Sequence, residues 1–449
     1  MTAIAGPVRV SEDIPPCLAT GPFVILDDDP TGTQAAADVT VIIDLEEHVL
    51  REWFRSHQPR PVYVLTNSRA LAATEAHDLV AATANVVARE WPNARLVLRG
   101  DSTLRAHLAP EYLGASLGSS PVLLLVPAMP SGGRVTIGGA HYLVRAGQRV
   151  PLQETEYAAD PDLGYETSNL LDWAEERSAG LFPAKDGRVL ELDEVRGVGA
   201  AAVPRAVEML GRLHRPVACA VDAETEEDIH QIAEGVRQTC QRGLPVLVRC
   251  APPLAAALAC GQATRPATVP RVDGPVLVVS ASYVPLSTAQ LEAYGAAFPG
   301  TTVVADVEAL LTRSAEEQAR LAKDLSSRLH RFGVAALVTP RTNPRSPVLP
   351  RGASIVRALA QVLHLLSPRP SVVLAKGGVT AAVVALDGLG ACTAHVRGPL
   401  TTGVSLWDLT TREGEQLPFV VFPGNIGSRS TLAEVVSELL GGRVAGRAL

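Results

Sequence analysis

Aromatic side chains are scarce: seven Phe, seven Tyr and four Trp make up 4% of the 449 residues. A surface that stacks nucleic-acid bases needs more of them. Lys and Arg form no basic run and the formal net charge is -7, so no nucleic-acid partner is expected. The six cysteines (Cys17, Cys219, Cys240, Cys250, Cys260 and Cys392) contain no C-x-x-C pair. That spacing speaks against a zinc site and fits free thiols in a reducing compartment. No apolar run reaches membrane-spanning length, so no membrane partner is expected. The first residues lack a basic stretch leading into an apolar core, so the expected location is cytoplasmic. There is no G-x-x-x-x-G-K-[ST] loop, and G-x-G-x-x-G does not follow the first apolar run. A P-loop enzyme is thereby excluded, and a sugar-acid oxidoreductase of the Rossmann type is disfavoured.

What the chain does have is a regular alternation. Short runs rich in Val, Ile and Leu (FVIL, VTVII, PVYVL, RLVL, PVLLLV) are separated by helical patterns such as residues 71–91. Such runs read as strands buried on both faces of a largely parallel sheet. The pattern resumes with PVACAV and a helix whose Ile229, Ile232 and Val236 share a face, then LPVLVRC. Residues 147–196 are less regular and are expected to leave the first sheet as an excursion. An Ala/Pro-rich stretch ends in QATRPATVPRVDG, which places a domain boundary near residue 270. A second α/β block follows, including GPVLVVSAS, a helix expected to be capped by Ser287, VAALV, SVVLAKGG, a helix from about Thr380, and PFVVFPGN. The expected fold is α/β in two domains, residues 1–270 and 271–449. Each is a largely parallel sheet flanked by helices, with the active site in the cleft between them.

Ligands of open parallel sheets bind beyond the carboxyl ends of the strands, so the residues after each apolar run matter most. The first run ends in Asp27-Asp28-Asp29-Pro-Thr-Gly, and three adjacent carboxylates repel unless cations or proton transfer make use of them. The next ends supply Asn67-Ser68-Arg69, then Asp101, Ser102, Arg105 and His107, then Gly133, Arg134 and His141. Any one of these would pass as a solvated loop. Together, three arginines with Asp, Asn and Ser partners describe a site for a small hydroxylated anion, because the guanidinium fork suits a carboxylate. In the second half, Gly377-Gly378-Val379-Thr380 and Gly424-Asn425-Ile426-Gly427 lie between strand and helix. Their backbone N–H groups suit phosphate, although tight turns alone would explain each loop.

The ordered set of motifs resembles the four-carbon acid sugar kinase family. Asp28-Asp29-Pro30-Thr31-Gly32 is similar to its D-D-x-T-G element, and Thr66-Asn67-Ser68-Arg69 to its T-x-S-R element. Asp101 to Arg105 reads D-S-T-L-R, Pro127 to Arg134 ends in G-R, and Glu154-Thr155-Glu156 precedes Asp160. Later come Ser280-Ala281-Ser282, the G-G-x-T loop at Gly377–Thr380 and a G-N-x-G loop at Gly424–Gly427. The resemblance covers nearly the whole chain. It implies an N-terminal domain that binds an acid sugar through Asn67, Ser68, Arg69, Asp101, Ser102, Arg105, Gly133 and Arg134. It further implies a C-terminal domain that binds ATP through Ser282, Gly377, Gly378, Val379, Thr380, Gly424, Asn425 and Gly427. The sequence departs from the family pattern at Ala281, Lys376, Val379 and Phe422-Pro423.

The expected reaction is ATP-dependent phosphorylation of the terminal hydroxyl of erythronate, threonate or a 3-oxo-tetronate. Asp28 and Asp29 are the expected catalytic pair, one acting as base and one meeting Mg2+ or its waters, with the assignment open. The altered nucleotide loops keep an alternative in view, a non-catalytic acid-sugar-binding or regulatory protein with the same fold. Homo-oligomerisation stays open.

Overall fold

The computed structural model describes residues 21–263, 265–269, 273–282, 284–340 and 349–441, the side chains of 349–353 excepted. The expected boundary near 270 and Cys17 fall on residues outside that set.

The N-terminal half supplies β1 (Phe23–Asp27), β2 (Val39–Ile42), β3 (Val62–Leu65), β4 (Arg95–Arg99) and β5 (Val122–Val126). Then come β6 (Arg134–Ile137), β7 (Ala140–Arg145), β8 (Gln148–Pro151), β9 (Arg188–Leu190), β10 (Ala218–Val221) and β11 (Val246–Cys250). The C-terminal half adds β12 (Val276–Ser280), β13 (Thr302–Val304), β14 (Val334–Val338) and β15 (Val372–Lys376). It closes with β16 (Ala391–Thr401), β17 (Val404–Thr411) and β18 (Gln416–Phe422).

The strands of β1, β5, β12, β14 and β15 are buried at every position, which is why their sequences read as unbroken apolar runs. All the pairings within β1, β3, β4, β5, β9, β10 and β11, and within β12 to β15, are parallel.

The two expected sheets are joined edge to edge. They form one 15-stranded sheet in the order β13-β14-β12-β15-β18-β17-β16-β2-β3-β1-β4-β11-β5-β10-β9. The seam is antiparallel: β16 pairs with β2 from Thr393↔Ile42 to Val396↔Val39, and β17 pairs with both β16 and β18. Joining the halves covers two edges that would otherwise present unpaired backbone. One face carries a continuous apolar core in which Ile25, Tyr63 and Val97 belong with Leu277, Val279 and Trp407. The other face has a separate core under each half.

The excursion begins earlier than the sequence suggested. β6, β7 and β8 form a small antiparallel sheet from Arg134, and the chain rejoins the main sheet at β9. The helix Glu226–Gln241 buries Ile229, Ile232 and Val236 as its spacing predicts, and Thr225 caps it by accepting from the Asp228 N–H. The expected Ser287 cap is not formed. That helix spans Pro285–Ala297, because Pro fits the first helical position, and Ser287 lies inside the first turn. Cys219, Cys240, Cys250, Cys260 and Cys392 are free. Among the described residues no helix is long and apolar enough to cross a membrane.

Candidate active site

A cleft of about 1170 Å³ opens beyond the carboxyl ends of β1, β3, β4 and β5 on one side and β12, β14, β15 and β18 on the other. The first wall carries Asp29, Thr31, Gln34, Arg69, Asp101, Ser102, Arg105 and Arg134. The second carries Ser282, Thr339, Gly377, Gly378, Val379, Thr380, Gly424 and Asn425. The excursion overhangs the first wall with Arg145, Glu156, Tyr157 and Asp160.

The three aspartates after β1 separate by environment. Asp27 and Asp28 are buried and share one cation, each accepting from the Arg99 guanidinium at 2.9 Å. Arg249 of β11 stands 4.0 Å from the other Asp28 oxygen and is paired with Glu111, which accepts from the Ser68 hydroxyl at 2.6 Å. Burial pushes the Asp27 carboxyl up to about 7, against the pull of Arg99. Burial likewise raises Asp28 to about 6, against Arg69 and Arg99. Both therefore belong to an ionic layer beneath the site, and Asp28 does not line the cleft.

Asp29 turns the other way. It caps the short helical turn Pro30–Ala35 by accepting from the Thr31 N–H at 2.8 Å, and it pairs with Arg69. Burial opposes its charge, but Arg69, Arg99 and the Thr31 hydrogen bonds prevail and hold its carboxyl below the usual range. A Cβ built on Gly378 would overlap the Asp29 carboxylate. Only glycine at 378 lets the two walls approach so closely.

Arg69 reaches Asp101 at 3.5 Å, and Asp101 accepts from Arg105 at 2.7 Å and from the Thr103 hydroxyl. Burial disfavours the Asp101 charge, yet Arg105 and Arg69 hold its carboxyl well below the usual range. Arg105 also lies over the Tyr157 ring, 5.5 Å from its centre, and 3.6 Å from Asp160. Arg134 donates to the Gly132 carbonyl at 2.7 Å, while its buried Nε has no partner among the described residues.

Five of the expected site residues lie outside the cleft wall. Besides Asp28, Ser68 is buried on Glu111, and Asn67 holds a left-handed turn (φ 48°). Gly133 makes a left-handed turn at φ +71° beside the Val144 carbonyl, and Gly427 makes another at φ +86° against Thr431. Neither histidine enters the cleft. His141 is buried between the Thr136 hydroxyl and the Ser102 carbonyl, each at 2.9 Å, and burial lowers it to about 4. His107 contacts the Leu71 carbonyl.

Sequence reasoning missed Gln34, Met129, Arg145, Tyr157 and Thr339. Gln34 directly follows the aspartate-rich turn and Tyr157 the E-T-E tract, so continuing each motif by a few residues would have found them.

Two walls face each other across the cleft, one of arginines with carboxylates and one of glycine loops. Residues 23–258 match a sugar-binding N-terminal domain and residues 277–432 a nucleotide-binding C-terminal domain, and the chain belongs to the four-carbon acid sugar kinase family. It is 30% identical over 275 residues to the D-erythronate kinase of Heliobacterium modesticaldum. That match spans 60% of this chain and 58% of the relative. Two solved structures share the fold at 18% identity: protein HI1011 of Haemophilus influenzae (TM-score 0.62) and a protein of Salmonella typhimurium LT2 (TM-score 0.68). Each aligns with 93% of this chain, covering 100% and 99% of its own.

Proposed function

We propose that this protein is a kinase that transfers the γ-phosphoryl group of ATP to the terminal hydroxyl of a four-carbon acid sugar. One observation carries the reading: Asp29 of the arginine-lined wall touches Gly378 of the glycine-loop wall. The acid sugar binds the first wall, with Arg105 and Arg134 receiving its carboxylate and Asp101 and Ser102 its hydroxyls. The nucleotide phosphates meet the backbone of Gly377–Thr380 and Gly424–Asn425. Asp29 is the acidic side chain at the junction. Held ionised by Arg69, it orients the attacking hydroxyl and accepts its proton as the new P–O bond forms.

Among the described residues no three His, Cys, Asp or Glu side chains gather as a metal cage. Asp29, set against Gly378, is the carboxylate that meets the glycine-loop wall and would reach Mg2+ held mainly by nucleotide phosphates and water. When bound, Mg2+ neutralises charge that develops on the phosphates. The expected role of Asp28 at the metal or the hydroxyl is not carried forward, since its carboxylate faces Arg99.

The test is ADP release with MgATP over D-erythronate, L-threonate and their 3-oxo forms. Turnover of at least one acid is expected. Folded protein that binds an acid yet releases no ADP with any of them would replace the kinase by a non-catalytic acid-sugar binder.

A further inference from the structure

Lys376 ends β15 with no part of its surface exposed. Its Nζ donates to the Pro423 carbonyl at 3.0 Å and stands 4.0 Å from the centre of the Phe422 ring. Next to it, the Gly377 N–H donates to the Phe422 carbonyl at 2.8 Å. A side chain and a backbone bond thus tie together the two glycine loops that form one wall of the cleft. In register with Lys376 on β12 stands Ser280, whose buried hydroxyl has no hydrogen-bond partner among the described residues. The groups that meet the ammonium are the Phe422 ring at the end of β18 and the carbonyl of Pro423 just beyond it, with Ser280 the neighbouring residue on β12. Burial is the single cause acting on it, lowering its pKa to about 7, so no carboxylate or second cation among the described residues offsets its charge.

A buried ammonium with no counter-ion is costly, and a methionine would fill the same space without that cost. Among the described residues, the Pro423 carbonyl takes one of its three N–H donors and the other two have no acceptor. The charge has a use when an anion lies on the loops above it.

We propose that Lys376 is a positioning residue whose counter-charge is the polyphosphate of the bound nucleotide, so that nucleotide binding is coupled to protonation of this lysine. The inference rests on the nucleotide-site reading given above. The phosphates raise the pKa of the ammonium by attraction, and the ammonium in return holds Pro423 and the Gly424 loop in place. Below neutral pH Lys376 is already charged and binding moves no proton. Above it the free protein holds a neutral amine, and binding takes up a proton from solution.

The experiment is calorimetric titration with MgADP in buffers of different ionisation enthalpy, from about pH 6 to about pH 8.5. Wild type is expected to take up close to one more proton than Lys376→Met at the alkaline end. Its Kd should weaken up to roughly tenfold per pH unit above neutrality. Lys376→Met should bind more weakly at low pH and show a flatter profile. Lys376→Arg, permanently charged, should keep its affinity at high pH and lose the lysine-linked proton uptake. Equal proton uptake in all three proteins would overturn the proposal, as would wild-type affinity in Lys376→Met at low pH. If Lys376→Met does not fold, identical pH profiles for wild type and Lys376→Arg overturn it. No MgADP binding by folded wild type at any pH would sink the nucleotide-site reading itself, and this inference with it.

Discussion

The carboxylate of Asp29 occupies the space in which any side chain at Gly378 would stand. One residue comes from the turn after β1 and the other from the loop after β15, so the contact sets how closely the two walls meet. Asp29 cannot simply retreat, because Thr31 and Arg69 hold it. Gly378→Ala should therefore displace the carboxylate and lower kcat at least about tenfold, the scale expected when a positioned group moves by an ångström. Steady-state kinetics with thermal unfolding alongside checks this. An unchanged kcat in a folded variant would mean that the contact does not matter to turnover.

Asp29→Asn keeps the shape and removes the proton acceptor. Turnover should fall by about 10²–10⁴-fold, the usual range for a lost general base. MgADP affinity should stay within about threefold, because the phosphates are assigned to the glycine loops. Loss of nucleotide binding by calorimetry would instead place Asp29 in the nucleotide site.

Much of the scaffold was legible because of how parallel strands are buried. FVIL, VLLLV and VLVVS are covered on both faces, so nothing polar interrupts them. The residues that gather at the cleft followed from the rule that strand carboxyl ends face ligands. Arg69, Asp101, Arg105, Arg134 and the glycine loops are all brought there. What stayed hidden depends on register between distant strands. Arg99 pairs with Asp27 and Asp28 only because β4 lies beside β1, with Asp27 opposite Arg99. Arg249 looked like one charge inside an apolar run, and its role as partner of Glu111 depends on β11 lying beside β4. The seam between β2 and β16 is a pairing across some 350 residues, and no local pattern announces it.

Arg99 is the single cation shared by two buried carboxylates. Arg99→Met leaves both without the cation that hydrogen-bonds them, and removing one side of a buried ion pair typically costs about 3–5 kcal/mol. Urea unfolding should show a loss of that order, with the midpoint shifted and the slope kept. A loss below about 1 kcal/mol would mean that the carboxylates are already neutral or well satisfied elsewhere.

Trp407 of β17 donates from Nε1 to the Thr33 hydroxyl at 3.0 Å, fastening the turn that carries Asp29 to the other half of the chain. Trp407→Phe removes the donor and keeps most of the packing. Stability should drop by about 1 kcal/mol, the net worth of one such bond. The kcat should fall more than the KM for either substrate rises, since the bond orients Asp29 rather than a ligand. A change confined to KM would assign Trp407 to binding.

Asp27 links this layer to pH. Its carboxyl is raised from 3.8 to about 7 by burial, so the folded chain holds a proton that the unfolded chain has released. In the window between those values the folded state binds more protons, and stability falls as pH rises. Asp28, raised to about 6, acts in the same direction over a narrower range. Asp29 and Asp101 shift the opposite way, and their contribution is lost only at pH below the usual carboxylate range. Asp27→Asn removes the largest of these effects while keeping an acceptor for Arg99. The Tm of the variant relative to wild type should therefore rise from about pH 4 to about pH 7 and level off above that. Differential scanning calorimetry across that range gives the answer, and a Tm difference that does not move with pH would show that Asp27 is ionised throughout.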